Sequence, residues 1–218
     1  MDTSTEPANA RILKIAAFVQ KRLDEMALKY PDPIHDPLYR WQHTLRVASY
    51  GKIIAEFEGA NVDCVVTACL LHDVAHFDPM DNYTSHGRTG AEIARPVLAE
   101  CGYSAQEVDN ICYSIAVHVD GQAGYDHTET LESKIVSDAD NIDRFGAYRI
   151  MQWCVLEMGN HQVLAGKLAQ RIPTLEKYKL ENPLETASGK ALFERQLDLQ
   201  IAFFNALIAE WNITVVPE

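Results

Sequence analysis

Apolar residues recur along most of this chain at spacings of three and four, the period of helices that each bury one face. Near the start, Ile12, Ile15, Ala16, Val19 and Leu23 share one side of a turn. Near the end, Leu192, Phe193, Gln196, Leu199, Ile201, Phe203, Phe204 and Ile208 form a strongly apolar stretch, read first as core packing and second as a dimer face or pocket wall. Strand-like alternation is weak; only Ile213 to Val216 hints at a terminal strand. The pattern predicts helices over 7–29, 37–58, 61–76, 86–101, 104–119, 128–143, 146–160, 161–180 and 187–211. Breakers stand between them at Pro31-Asp32-Pro33, Glu58-Gly59, Asp78-Pro79, Cys101-Gly102, Gly121 to Gly124, Gly159-Asn160 and Asn182-Pro183. Asp36-Pro37 supplies a cap and a first-turn proline, and Ser104 with Glu107 spells a capping box. The expectation is an all-α chain forming a single domain over 1–218.

Polar residues interrupt the apolar stripes at a few informative places. His72-Asp73 follows the run Val65-Val66-Thr67-Ala68-Cys69-Leu70-Leu71, and Val65, Cys69 and His72 lie on one stripe. An imidazole beside a carboxylate in such a segment costs several kcal/mol, on the order of the price of an uncompensated buried polar group, unless something satisfies both. His43 shares a face with Val47, Tyr50 and Ile54, and His118 ends a stripe with Val108, Ile111 and Ile115. An isolated buried histidine is ordinarily a hydrogen-bonded core residue. Three such placements among eight histidines point instead to a shared ligand. A further acidic cluster, Ser137-Asp138-Ala139-Asp140-Asn141-Ile142-Asp143, lies in apolar context. Imidazole and carboxylate donors without thiolates suit Mn, Fe, Ni, Zn or Mg.

The order His43, His72-Asp73, Asp140 resembles the H…HD…D signature of the HD-domain metal-dependent phosphohydrolases. His43-Thr44-Leu45-Arg46-Val47-Ala48 resembles the family's first-histidine helix, Ala68-Cys69-Leu70-Leu71-His72-Asp73-Val74-Ala75-His76 its second, and Ser137 to Asp143 its final-aspartate helix. The resemblance covers roughly residues 35–150 and implies an HD-domain-like helical bundle, with the N-terminal helix and C-terminal helices over 151–212 added to it. It implies one or two divalent metal ions and hydrolysis of a phosphoester or phosphoanhydride of a small molecule, a nucleotide above all. In that chemistry a metal lowers the pKa of bound water to about 7.

Two assignments stay open at this level. Periodicity favours Asp138 as the late ligand, because Leu131, Ile135, Asp138 and Ile142 make the cleaner stripe. The family pattern favours Asp140, which is the choice made. His86-Gly87-Arg88-Thr89-Gly90-Ala91 resembles the H-x-x-G-A segment of binuclear relatives, and His118 stands where they supply another ligand. The resemblance thus implies the set His43, His72, Asp73, His86, His118 and Asp140, with two ions slightly favoured over one and Asp73 as a bridge. Asp73 is also expected to orient the attacking water. His76 is a candidate proton donor or phosphate contact, and Arg88, Lys134 and Arg144, all near candidate ligands, are candidate phosphate-binding cations. His127, in the glycine-rich loop, is placed near the mouth of the site. A di-iron oxygenase on the same scaffold is the alternative activity, and a non-catalytic metal-binding regulatory module is a third reading.

Composition narrows the field further. The 218 residues carry 19 basic and 31 acidic side chains, a net charge of −12 that disfavours binding to a nucleic-acid polymer but not to a small anionic substrate. The five cysteines are scattered and read as reduced core thiols. No G-x-x-x-x-G-K-[ST] loop is present, so phosphate contacts fall to metal and side chains. No stretch approaches a membrane span, and no leader pattern opens the chain, which points to a cytoplasmic protein without a membrane partner. A homodimer is compatible with the apolar last helix.

Overall fold

The computed structural model describes residues 8–30, 36–76, 84–156 and 160–213. Among these residues the protein is all-α, with no strand. The residues of the hinted strand beyond Ile213 lie outside the described set. The helices are α1 (Ala8–Lys29), α2 (Pro37–Glu58), α3 (Val62–Leu71), α4 (His86–Glu100), α5 (Ala105–Val117), α6 (Leu131–Asp143), α7 (Ala147–Leu156), α8 (His161–Leu180) and α9 (Ala187–Trp211). No described helix is long and apolar enough to cross a membrane.

Local chemistry sets most of these ends. The Asp36 side chain accepts from the Leu38 amide at 2.9 Å, and Gly59, in the left-handed region at φ 75°, closes α2 by donating to the Ala55 carbonyl. The Ser104–Glu107 box heads α5 with both of its hydrogen bonds formed. The expected helix over 61–76 is shorter, ending at Leu71. There the ladder gives way to tighter turns, Val74 N–H to Leu71 O and His76 N–H to Asp73 O. The expected start at 128 likewise moves to Leu131, because Thr130 caps α6 there: its hydroxyl accepts from the Ser133 amide, and the Ser133 hydroxyl accepts from the Thr130 amide.

The chain divides into two compact units, Met1–Asp140 and Asn141–Glu218. In the first, α2 packs on α3, α3 on α5, α5 on α4, and α1 lies against α2 and α3. Ile15, Val19 and Leu23 of α1 join Ile54, Cys69, Leu71, Leu98, Ile111, Ile115 and Ile135 in its core. The α2–α3 contact is made at the backbone. A Cβ built on Gly51 would stand 2.6 Å from Cys69 Sγ and 3.1 Å from Val65, so only glycine permits this approach without repacking. That approach carries His43 toward the end of α3. In the second unit, Phe193, Leu197, Phe204, Leu168 and Leu175 form a core between α8 and α9, and α7 packs on α9. Gln200 there donates to the Phe145 carbonyl at 2.8 Å.

Candidate metal centre

Two helices of the first unit end on a histidine in the same manner. His72 caps α3, and its ring Nδ1 is 2.7 Å from the Cys69 carbonyl; His118 caps α5, and its Nδ1 is 2.7 Å from the Ile115 carbonyl. A carbonyl can only accept, so Nδ1 carries the proton in both rings, and one otherwise partnerless helix-end carbonyl is satisfied each time. With Nδ1 so engaged, the neutral form of either ring offers its Nε2 lone pair, the form in which imidazole binds metals. Burial, reinforced by the nearby His72, pulls the His118 pKa down to about 4, so this ring is neutral at physiological pH.

These lone pairs converge on one carboxylate. Oδ2 of Asp73 lies 3.3 Å from His72 Nε2 and 3.5 Å from His43 Nε2, while Oδ1 lies 3.1 Å from His86 Nε2 and 3.9 Å from His118 Nε2. The nitrogens are paired as well: His43 and His72 are 3.2 Å apart, His86 and His118 3.3 Å. Asp140 joins the first pair, with Oδ1 3.2 Å from His43 Nε2 and 3.9 Å from His72 Nε2. All six side chains sit within the first unit. The alternative, Asp138, is buried at 2 % exposure, but Asp140 is the late aspartate that faces the pair.

Glycine again makes the approach possible. A Cβ on Gly87 would fall 2.7 and 2.8 Å from the Ala116 and Ile115 carbonyl oxygens and 3.2 Å from His118 Nδ1. The start of α4 therefore rests directly on the end of α5, which is how His86 reaches His118.

The electrostatics fit a cation. Burial alone would raise both carboxyls. For Asp73 the His72 and Arg40 charges and the His43 hydrogen bond outweigh it; for Asp140 the hydrogen bond and charge of His43, with His72, do the same, and both acids are held below the ordinary carboxylate range. Imidazole nitrogens and ionised carboxylates gathered this closely are donors of the kind that a divalent cation satisfies. Donor atoms of His43, His72 and Asp73 lie within 4.8 Å of one another, as do those of Asp73, His76 and His86. The residues present fit a divalent metal.

The other expected residues are placed unevenly. His76 borders the cluster, its Nδ1 4.0 Å from Asp73 Oδ1. Arg88 turns to Asp120, and Lys134 pairs with Glu129 at 2.8 Å. Arg144 falls in the second unit. His127 is exposed and stacks on Tyr113 at 4.1 Å between centroids. The cation that reaches the cluster is Arg40, absent from the expected set. Its Nη1 donates to Asp73 Oδ2 and its Nη2 to His76 Nε2 at 2.6 Å, which requires that nitrogen to be unprotonated. The signal was its place three residues before His43 on α2, one turn away on the same face.

The HD domain family profile matches residues 40–144, the stretch from Arg40 to Arg144 that carries all six donors. This segment is an HD domain. Several solved structures share the architecture. One is a predicted HD superfamily hydrolase from an uncultured Thermotogales bacterium, 22% identical over 90% of this chain and 92% of that one, TM-score 0.64. Another is an HD-superfamily hydrolase from Bacillus thuringiensis, 22% identical over 95% and 100%, TM-score 0.67. A third is Bacillus subtilis YpgQ in complex with ADP, 20% identical over 94% and 98%, TM-score 0.60. At these identities the likeness is one of fold. No curated protein matches the chain in sequence.

Proposed function

We propose that this HD domain is a metal-dependent phosphohydrolase that cleaves a phosphoester or phosphoanhydride of a small phosphorylated compound, with nucleotides as the leading class. The observation that carries this reading is the split duty of Asp73, whose two oxygens face separate histidine pairs. His43, His72 and Asp140 would hold one divalent ion, His86 and His118 a second, with Asp73 between them. When bound, such cations acidify water and neutralise phosphoryl oxygens.

The chain's own side chains do the rest. Asp73, ionised and buried, accepts from and so orients a water on the face of the cluster. Arg40 offers a guanidinium to a phosphoryl oxygen, in the planar geometry that suits phosphate. Its Nε is buried without a hydrogen-bond partner among the described residues, a donor that an anion would satisfy. His76, with its Nε2 on Arg40, is placed to relay a proton to the leaving oxygen once Arg40 turns to substrate. The ADP complex of YpgQ, a protein of the same fold, supports the nucleotide class.

The test is turnover by Mn-, Ni- and Fe-loaded protein against nucleoside phosphates, dinucleoside polyphosphates and sugar phosphates, reading released phosphate or pyrophosphate. Asp73→Ala is expected to abolish turnover and to lower bound metal. Full activity in that variant would overturn the mechanism. Uptake of iron in air with a mixed-valent signal, and no release from any compound, would favour a di-iron oxygenase instead.

A further inference from the structure

Arg88 follows His86 by two residues on α4, and Asp120 follows His118 by two residues after α5. Their side chains meet: Arg88 Nη1 donates to Asp120 Oδ1 at 3.0 Å and Oδ2 at 3.1 Å. The same nitrogen donates to the Gln122 carbonyl at 2.8 Å, and Nη2 donates to the Thr84 carbonyl, just ahead of α4, at 3.1 Å. The loop it grips is itself shaped by Asp120, whose Oδ1 accepts from the Gln122 amide at 3.0 Å. One guanidinium thus ties together the lead-in to His86, the helix that carries His86, and the turn that leaves His118. Gly87 lets the two helix ends touch but offers no directional bond, and Gly124 passes beside the Arg88 stem, where an added Cβ would stand 3.5 Å from its Cδ.

We infer that Arg88 is a positioning residue for the second half of the metal centre: through Asp120, Gln122 and Thr84 it fixes the spacing of His86 and His118, and it contacts neither metal nor substrate. The inference rests on the two-ion reading above. Its consequence is selective. His43, His72 and Asp140 belong to α2, the end of α3 and α6, none of which Arg88 grips, so the first ion should not register its loss.

Titration of metal-free full-length protein with Mn(II), followed by paramagnetic resonance of the free ion, tests this directly. Wild type is expected to take up two ions in two events. Arg88→Ala and, independently, Asp120→Asn should weaken only the event of the ion held by His86 and His118, the second event whatever its order of filling, by about 10–100-fold, the usual penalty for loss of a group that supports a ligand. Arg88→Lys, which keeps the charge and loses the fork, should recover part of it. Two events in wild type with an unchanged second event in both variants would overturn the role of Arg88 while leaving the two-ion centre standing. Equal weakening of both events would also overturn it, because that is the mark of general destabilisation. Uptake of a single ion per chain by wild type would overturn the two-ion reading and this inference together.

Discussion

Oδ2 of Asp73 is approached by Arg40, His43 and His72 together. A carboxylate this deeply buried must be compensated, and the Arg40 guanidinium contributes to that. With divalent ions held by the cluster, Arg40 would be able to turn its guanidinium to an incoming phosphoryl group. Arg40→Lys is therefore expected to lower kcat/KM by about 10–100-fold, in line with about 1.5–3 kcal/mol for a hydrogen bond to a charged group. Steady-state kinetics on the metal-loaded protein would show it, and an unchanged kcat/KM would remove Arg40 from phosphate binding. His86 came only from the family resemblance, whereas His43, His72 and His118 were legible in the sequence because each lies on an apolar stripe at helical spacing. Arg40 was not, because an arginine in the mixed stretch Leu38-Tyr39-Arg40-Trp41 carries no comparable mark. Arg88 and Lys134 drew notice for standing near donors along the chain, yet near neighbours on a helix can point well apart, about 100° for adjacent residues, and both bond elsewhere.

At the scale of helices, the chain's punctuation was readable because proline, glycine and capping side chains act within a few residues. The ranges of α2, α8 and α9 match the expected ones for that reason. The early end of α3 was hidden, since it depends on the His72 ring seating on the Cys69 carbonyl, and no periodicity encodes that. The cap of α5 yields a pH signature. Hydrogen bonds from the Ser104 hydroxyl, then from the Ser104 amide, hold the Glu107 carboxyl below its ordinary value. A depressed carboxyl pKa adds stability that is complete above the unfolded value of about 4.3 and is lost as pH falls through the folded value. Urea midpoints of wild type and Glu107→Gln should therefore differ at pH 7 and converge as pH falls through the folded value. A gap that stays constant across that range would show that the charged form adds nothing.

Across the whole molecule, 31 acidic residues against 19 basic ones leave an excess of negative charge, and two of those acids are packed into the metal centre. Bound divalent ions would relieve repulsion there while favouring the folded state by mass action. At a free metal concentration of about 100 times Kd the gain is about 2.7 kcal/mol per site. A chain of this size moves by about 2–4 °C in Tm per kcal/mol, so stripping metal with a chelator should lower Tm by about 5–10 °C for each ion held, in a calorimetric scan. An identical Tm before and after chelation would mean that no ion of consequence was held.

The boundary after Asp140 has a bearing on how the protein is made. The carboxylate facing His43 is the last residue of the first unit, whereas the other five donors have all been synthesised by residue 118. During translation, the pair formed by His86 and His118 can meet Asp73 well before the pocket beside His43 gains its second acid. The nascent chain is thus able to assemble the His86 side of the centre first, and the side beside His43 is completed only as α6 emerges from the ribosome.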